Sequence, residues 1–267
     1  MDTELLVNRF ALMGARVQFR EIVNNFRRRA QSPGIDIGAD ERGEFFDIRV
    51  SRGEDVEYEV VDLRPEMRHL LLLGRREGKK EKYLCGHDER HWFVCAVPGA
   101  SVSGVVTAMQ SLQPLRVRWS LRANLRRPKN RFRRRNEAFV RQGEWFFIPD
   151  PALVVPEWLV LRNEPLSRGA GSKPHMCQFV FRRGGKSVWV CSRYPQGVLD
   201  AQHARLLAEN PKASRWNWQQ FRRDPEVFVR GRVWHSDHKT VVLEGWHRVV
   251  MNTEREAPFA PRVVFLD

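Results

Sequence analysis

The stretch FVRGRVWHSDHKTVVLEGWHRVVMN, residues 228–252, reads as strands joined by a turn. Phe228 to Trp234, Thr240 to Leu243 and His247 to Asn252 are rich in β-branched and aromatic residues. Ser236-Asp237 between the first two is a turn pair, because both side chains bond back to nearby backbone. With the turn centred there, His235 and His238 face each other across a strand pair, their Cβ atoms roughly 5 Å apart.

Upstream, the same type of sequence recurs. Ala138 to Ile148 reads as a strand, and Gln178 to Arg182 reads as a hairpin through Gly184-Gly185 into Val188 to Cys191. One helix is expected over Asp200 to Glu209, capped by Asp200 and stopped by Asn210-Pro211. The first half of the chain offers strands at Phe45 to Val50, Val56 to Leu63, Arg68 to Leu73, Glu81 to Cys85 and His91 to Val97, a pattern suited to an antiparallel meander. Leu5, Leu6, Phe10, Met13 and Val17, then Ile22, Val23 and Phe26, have helical spacing, broken at Gln31-Ser-Pro-Gly34; a second helix opens at Ser101 and runs to Leu112. The expectation is an α+β fold: two antiparallel β-rich units with a few helices, over 1–114 and 139–267, joined by an Arg-rich segment at 115–138.

That segment, with its extension to residue 141, packs eleven basic residues around one acid, Glu137. The cations are Arg116, Arg118, Arg122, Arg126, Arg127, Lys129, Arg131, Arg133, Arg134, Arg135 and Arg141, with Trp119 and Phe132 among them. Arginine forks match phosphate oxygens and aromatic faces accept unpaired bases. A solubilising face interleaves both signs, whereas this one is nearly all positive. A helix is expected up to Arg127, with Pro128 ending it and an arm or loop from Pro128 to Arg135. Arg215-Trp-Asn-Trp218 is a further basic and aromatic cluster, so Trp216 and Trp218 are stacking candidates.

The whole 267-residue chain carries a net charge of +14, which favours nucleic acid, phosphate or an anionic surface as partner. The one leucine-rich run, His69 to Gly74, is far shorter than the ~20 residues of a membrane helix. The N-terminus lacks the pattern of a secretion signal, so a soluble, cytoplasmic protein without a membrane partner is expected. Cys85, Cys95, Cys177 and Cys191 form no CxxC pair, and free buried thiols are the default.

His235, Asp237 and His238, followed by His247, are the strongest chemical candidates. Two histidines across a hairpin suit shared ligation of a metal, Asp237 is a third ligand or tautomer-fixing acceptor, and His175 and Cys177 of GSKPHMC (171–177) are outside contributors. Turn formation alone also accounts for Ser-Asp between histidines, and the imidazoles equally suit a nucleic-acid contact, to phosphate or by stacking on bases. Cys85-Gly-His87-Asp-Glu-Arg-His91 reads foremost as a polar hairpin tip, and otherwise as part of a zinc site or a contact to substrate or partner. No cofactor is demanded, although the histidines admit Zn, Mg or Mn.

Several blocks resemble an uncharacterised family of bacterial proteins: YLCGHDERHWFV (83–94), RQGEWFF (141–147), NEPL (163–166), NPKASRWNW (210–218) and the 228–254 stretch. The order RQG, apolar strand, His-bearing loop, HxDH is also similar to small β-rich proteins of phage and plasmid gene clusters; where these carry two histidines in the loop, GSKPHMC has one and a cysteine. The resemblance implies a mobile-element or phage-related setting and brings no activity with it. Three functions stay open. One is a nucleic-acid-binding accessory protein, RNA or single-stranded DNA favoured, of a ribonucleoprotein or larger complex. Another is a metal-dependent phosphodiester hydrolase using His235, Asp237, His238 and His247. The third is a module docking on an acidic protein.

Overall fold

The computed structural model describes residues 2–22, 34–53, 56–76, 78–99, 101–167 and 173–254. The chain divides into two compact units, one built on Met1–Pro114, to which Asn252, Thr253 and Glu254 belong, and one built on Leu115–Met251.

The first unit contains α1 (Thr3–Leu12), β1 (Val17–Ile22), β2 (Gly34–Asp40), β3 (Gly43–Ser51), β4 (Val56–Arg64), β5 (His69–Arg76), β6 (Lys79–Asp88), β7 (His91–Ala96) and α2 (Val105–Ser111). β4 to β7 form an antiparallel meander, while β3 pairs with β2 antiparallel and with β1 in parallel. The leucine run lies in β5, a central strand buried on both sides. Leu70 and Leu72 pack with α1 and β3, and Leu71 packs under α2.

The second unit contains α3 (Leu115–Asn124), β8 (Val140–Gln142), β9 (Trp145–Pro149), β10 (Leu161–Leu166), β11 (His175–Arg183), β12 (Lys186–Cys191), β13 (Tyr194–Val198), α4 (Asp200–Glu209), β14 (Gln219–Arg223), β15 (Glu226–Trp234) and β16 (Val241–Met251). A six-stranded antiparallel sheet runs β10-β11-β15-β16-β9-β8, and a three-stranded sheet runs β13-β12-β14. β9 is covered on both faces. Trp145 and Phe147 enter one core with Val180, Val229 and Val233, whereas Phe146 and Ile148 meet Val117 and Leu121 of α3.

The architecture is therefore mostly β, which corrects the α+β expectation: among the described residues sixteen strands stand against four helices of seven to ten residues. The N-terminal helix stops at Leu12, and Val17–Ile22 is a strand instead. Val17 and Phe19 alternate inward, and Arg20 projects the other way to grip Asp47 at 2.7 and 2.8 Å. Val23, Phe26 and the breaker at 31–33 lie outside the described residues.

Gly184-Gly185 does not close a hairpin. β10 and β15 occupy both edges of β11, so the chain turns away at φ +69° and +79° and β12 joins the other sheet. The Arg-rich segment is part of the second unit rather than an arm. α3 docks through Val117 and Leu121, and a 3-10 turn at Pro128–Asn130 leads into a loop organised by Asn136. That side chain donates to Asn130 O at 3.1 Å and accepts from the Ala138 and Phe139 amides at 2.9 and 3.1 Å. No helix among the described residues is long and apolar enough to cross a membrane.

Candidate functional site

Three inward-facing alternations of the large sheet end in polar residues at the same end of the core. Val140 is followed two residues on by Gln142, Cys177 is preceded by His175, and Val233 is followed by His235. Side chains two apart on a strand share a face. Cys177 pairs with Val233 across β11 and β15, so these steps converge. His238, in the loop between β15 and β16, completes the group: one ring nitrogen from each of His175, His235 and His238 lies within 4.8 Å of the others. The rings overlap, with centroids 4.3 Å apart for His175 and His235 and 4.9 Å apart for His235 and His238.

Gln142 and His175 are 0% and 2% exposed. The Gln142 amide nitrogen donates to Lys239 O at 2.8 Å and Val233 O at 3.3 Å, so its Oε1 must be the atom facing His175 Nδ1 at 2.9 Å. An amide oxygen only accepts, so Nδ1 carries a proton, which in the neutral tautomer leaves the lone pair on Nε2. Glu144 Oε2 stands 3.8 Å from that Nε2. At His235, Nδ1 accepts from the Asp237 amide at 3.1 Å. Burial, reinforced by the neighbouring His175, holds His235 below the usual imidazole range.

Gln142 and Glu144 arrive through a hairpin inside Ala138 to Ile148, the stretch that reads as one strand in the sequence. Gln142 pairs with Trp145 and leaves a two-residue loop, Gly143-Glu144. Gly143 has φ +56°, and a Cβ there would lie 2.8 Å from His238 Nε2. Glycine between two apolar runs was the available signal.

The remaining candidates lie elsewhere. Asp237 turns to Lys173, at 3.0 and 3.1 Å, and accepts from Ser236 Oγ; these bonds hold its carboxyl below the usual range. His247 is on β16 itself, six residues beyond Val241 and roughly 20 Å along the strand. Its Nδ1 donates to Gly245 O at 3.1 Å, since a carbonyl only accepts; burial keeps the ring below the usual range. Cys177 belongs to the apolar core, where burial pushes its thiol up to about 12. His87 and His91 do not converge either: His87 packs edge-on against Trp92, and His91 Nδ1 meets Glu44 Oε1 at 2.6 Å.

Comparison with protein-family models, curated proteins and solved structures gave no match.

The second candidate surface is the outer side of α3. With Val117, Ser120 and Leu121 buried, Arg116, Arg118, Trp119 and Arg122 face outward, followed by Arg126, Arg127 and Lys129. Trp119 is 53% exposed. Among the described residues Arg116 approaches Glu226 at 4.0 Å, while Arg118, Arg122, Arg126, Arg127, Lys129, Arg131 and Arg133 form no ion pair. Phe132 and Arg134 are half-buried. Arg135 and Arg141 are engaged in the fold: Arg135 donates to Val242 O at 2.8 Å and Arg141 to Gly143 O at 3.1 Å. Trp216 and Trp218 are half-buried and pack beside Tyr194, with Trp218 Nε1 donating to Ala213 O at 2.8 Å. They serve first to hold the small sheet together.

Proposed function

We propose that the second unit binds single-stranded nucleic acid, RNA or single-stranded DNA, along the outer face of α3 and the loop after it. The setting would be an accessory role in a ribonucleoprotein, mobile-element or phage-related system. The observation that carries the reading is a helix whose inner side is consumed by the core and whose outer side, apart from Arg116 near Glu226, is a row of cations without carboxylate partners among the described residues, with an exposed tryptophan among them. Like charges held this closely repel until an anion neutralises them, and a polyphosphate backbone does so with release of counterions. Trp119 adds a face on which a base can stack.

The test is fluorescence anisotropy with short single-stranded RNA, single-stranded DNA and duplex DNA over a salt series. Replacing Arg122, Arg126, Arg127 and Lys129 by Gln together should lower the log-log salt slope for single strands by about 3, at roughly 0.7 per phosphate contact. Trp119→Ala should weaken single-strand binding by about 1–3 kcal/mol. Equal binding by the wild type and the four-site variant would overturn the reading. Loss of all binding at physiological salt would point to an acidic protein partner. Metal-dependent shortening of the recovered strands would replace pure binding with hydrolysis.

A further inference from the structure

We propose that His175, His235 and His238 bind one divalent ion of the zinc class, with the Glu144 carboxylate beside the fourth position. The inference goes beyond nucleic-acid binding and is independent of it. Among the described residues this is the one group of three such side chains with donor atoms close enough to share an ion. Three imidazoles suit zinc, nickel or copper, whereas magnesium and manganese prefer oxygen donors; the ligand set thus narrows the metals admitted by the sequence. A tetrahedral ion with bonds of about 2.0–2.1 Å sets its nitrogens about 3.4 Å apart, so loading requires the rings, now stacked with ligand atoms within 4.8 Å, to rotate toward a common point.

Two features are built around this cluster beyond what packing needs. Gln142, fixed by two carbonyls, fixes His175 in the tautomer whose Nε2 lone pair is available on the side of Glu144. A partner that holds the far nitrogen of a ligating imidazole is the ordinary support of a metal site. Gly143 leaves the face of His238 open where any Cβ would touch Nε2. A polar cap over the core would require the bond between His175 and Gln142 alone; it would not require three imidazoles to meet at a position flanked by a carboxylate. At His235 the ring is engaged by the Asp237 amide at Nδ1 and by a backbone hydrogen bond with Lys173, so loading the ion exchanges one of these bonds for a metal bond.

The experiment uses the purified full chain, stripped by a chelator and dialysed, then titrated with Co(II) followed by Zn(II). Visible absorption and elemental analysis are read together. One equivalent of cobalt with the intense bands of a tetrahedral site, displaced by one equivalent of zinc, is expected. His235→Ala and His238→Ala, both half-buried loop positions, should each lose more than about 100-fold in affinity, since loss of a supporting partner alone costs about 10–100-fold. Gln142→Leu should fall within that smaller range while retaining one equivalent at saturation. Near-ultraviolet circular dichroism identifies any variant that fails to fold. Substoichiometric binding by folded wild-type protein, or full binding that survives both His235→Ala and His238→Ala, would overturn the proposal. Neither result bears on the anisotropy measurements, so the two readings fail separately.

Discussion

Two histidine-bearing turns look alike in the sequence and differ in the fold. In the hairpin of β6 and β7, Asp88 pairs with His91, so these two share a face and His87 projects to the opposite one. His87 then packs on Trp92, and His91 reaches Glu44. In the connection of β15 and β16, His235 continues the inward alternation of Val233 and His238 turns to the same side, where a distant strand delivers His175. Proximity in the chain is therefore a poor guide to convergence. Shared facing and a third element from elsewhere make a cluster.

The largest expected contrast between these turns lies in metal affinity. His87→Ala and His91→Ala should leave cobalt stoichiometry and affinity unchanged, against the loss of more than about 100-fold at His235 or His238. A comparable loss at the first pair would break the comparison.

A smaller contrast concerns stability without metal. Gln142→Leu leaves the buried His175 N–H without its acceptor and removes the bonds to the Val233 and Lys239 carbonyls, so chemical denaturation should show a loss of about 1–3 kcal/mol. Glu44→Ala also removes two hydrogen bonds, to His91 and to the Trp92 amide, yet water reaches the partly exposed His91 tip. A loss of about 1 kcal/mol or less is expected there. Equal losses would mean that burial of the acceptor is not what separates the two turns.

The smallest effect is in pH dependence. His247 lies below its ordinary value of 6.5, chiefly because of burial, with nearby Arg135 acting in the same direction and the Gly245 carbonyl opposing. Because the folded state disfavours the protonated ring, the unfolded chain takes up its proton first as pH falls. Stability is then fully present above about pH 6.5 and declines as the pH drops from there toward the lower folded value. Thermal melts between pH 7 and about 5 should show this decline, and His247→Gln should flatten part of it. His87 has the same direction of shift, from burial and then Arg68, but at a more open tip; His87→Gln should flatten the curve less.

Legibility followed the range of the interactions. Strand stretches such as 228–234 and 91–96, the α4 bounds and the turn between His235 and His238 follow from alternation, Gly or Pro punctuation and local hydrogen bonding. The apolar residues of Val17–Ile22 also fit a helical spacing, and only the parallel pairing with β3 decides for a strand. At the N-cap of α4, Leu199 stands where Asp200 was expected, and Asp200 instead accepts from Trp189 Nε1 at 2.8 Å. The basic run was visible as charge. That Arg135 and Arg141 tie the loop down while Arg118 and Arg122 face outward depends on which carbonyls lie within reach.

By itself the sequence determined the β-rich chemistry of most segments, the concentrated positive charge and the HxDH turn, because these rest on neighbours within a few residues. Tertiary structure alone decided that β11 and β12 belong to different sheets, that His175 joins His235 and His238 while Cys177 and His247 do not, and that Gln142 and Glu144 stand beside them. The reason is that strand pairing places residues 33 to 97 positions apart within hydrogen-bond distance. No local pattern specifies which face of which strand will meet them.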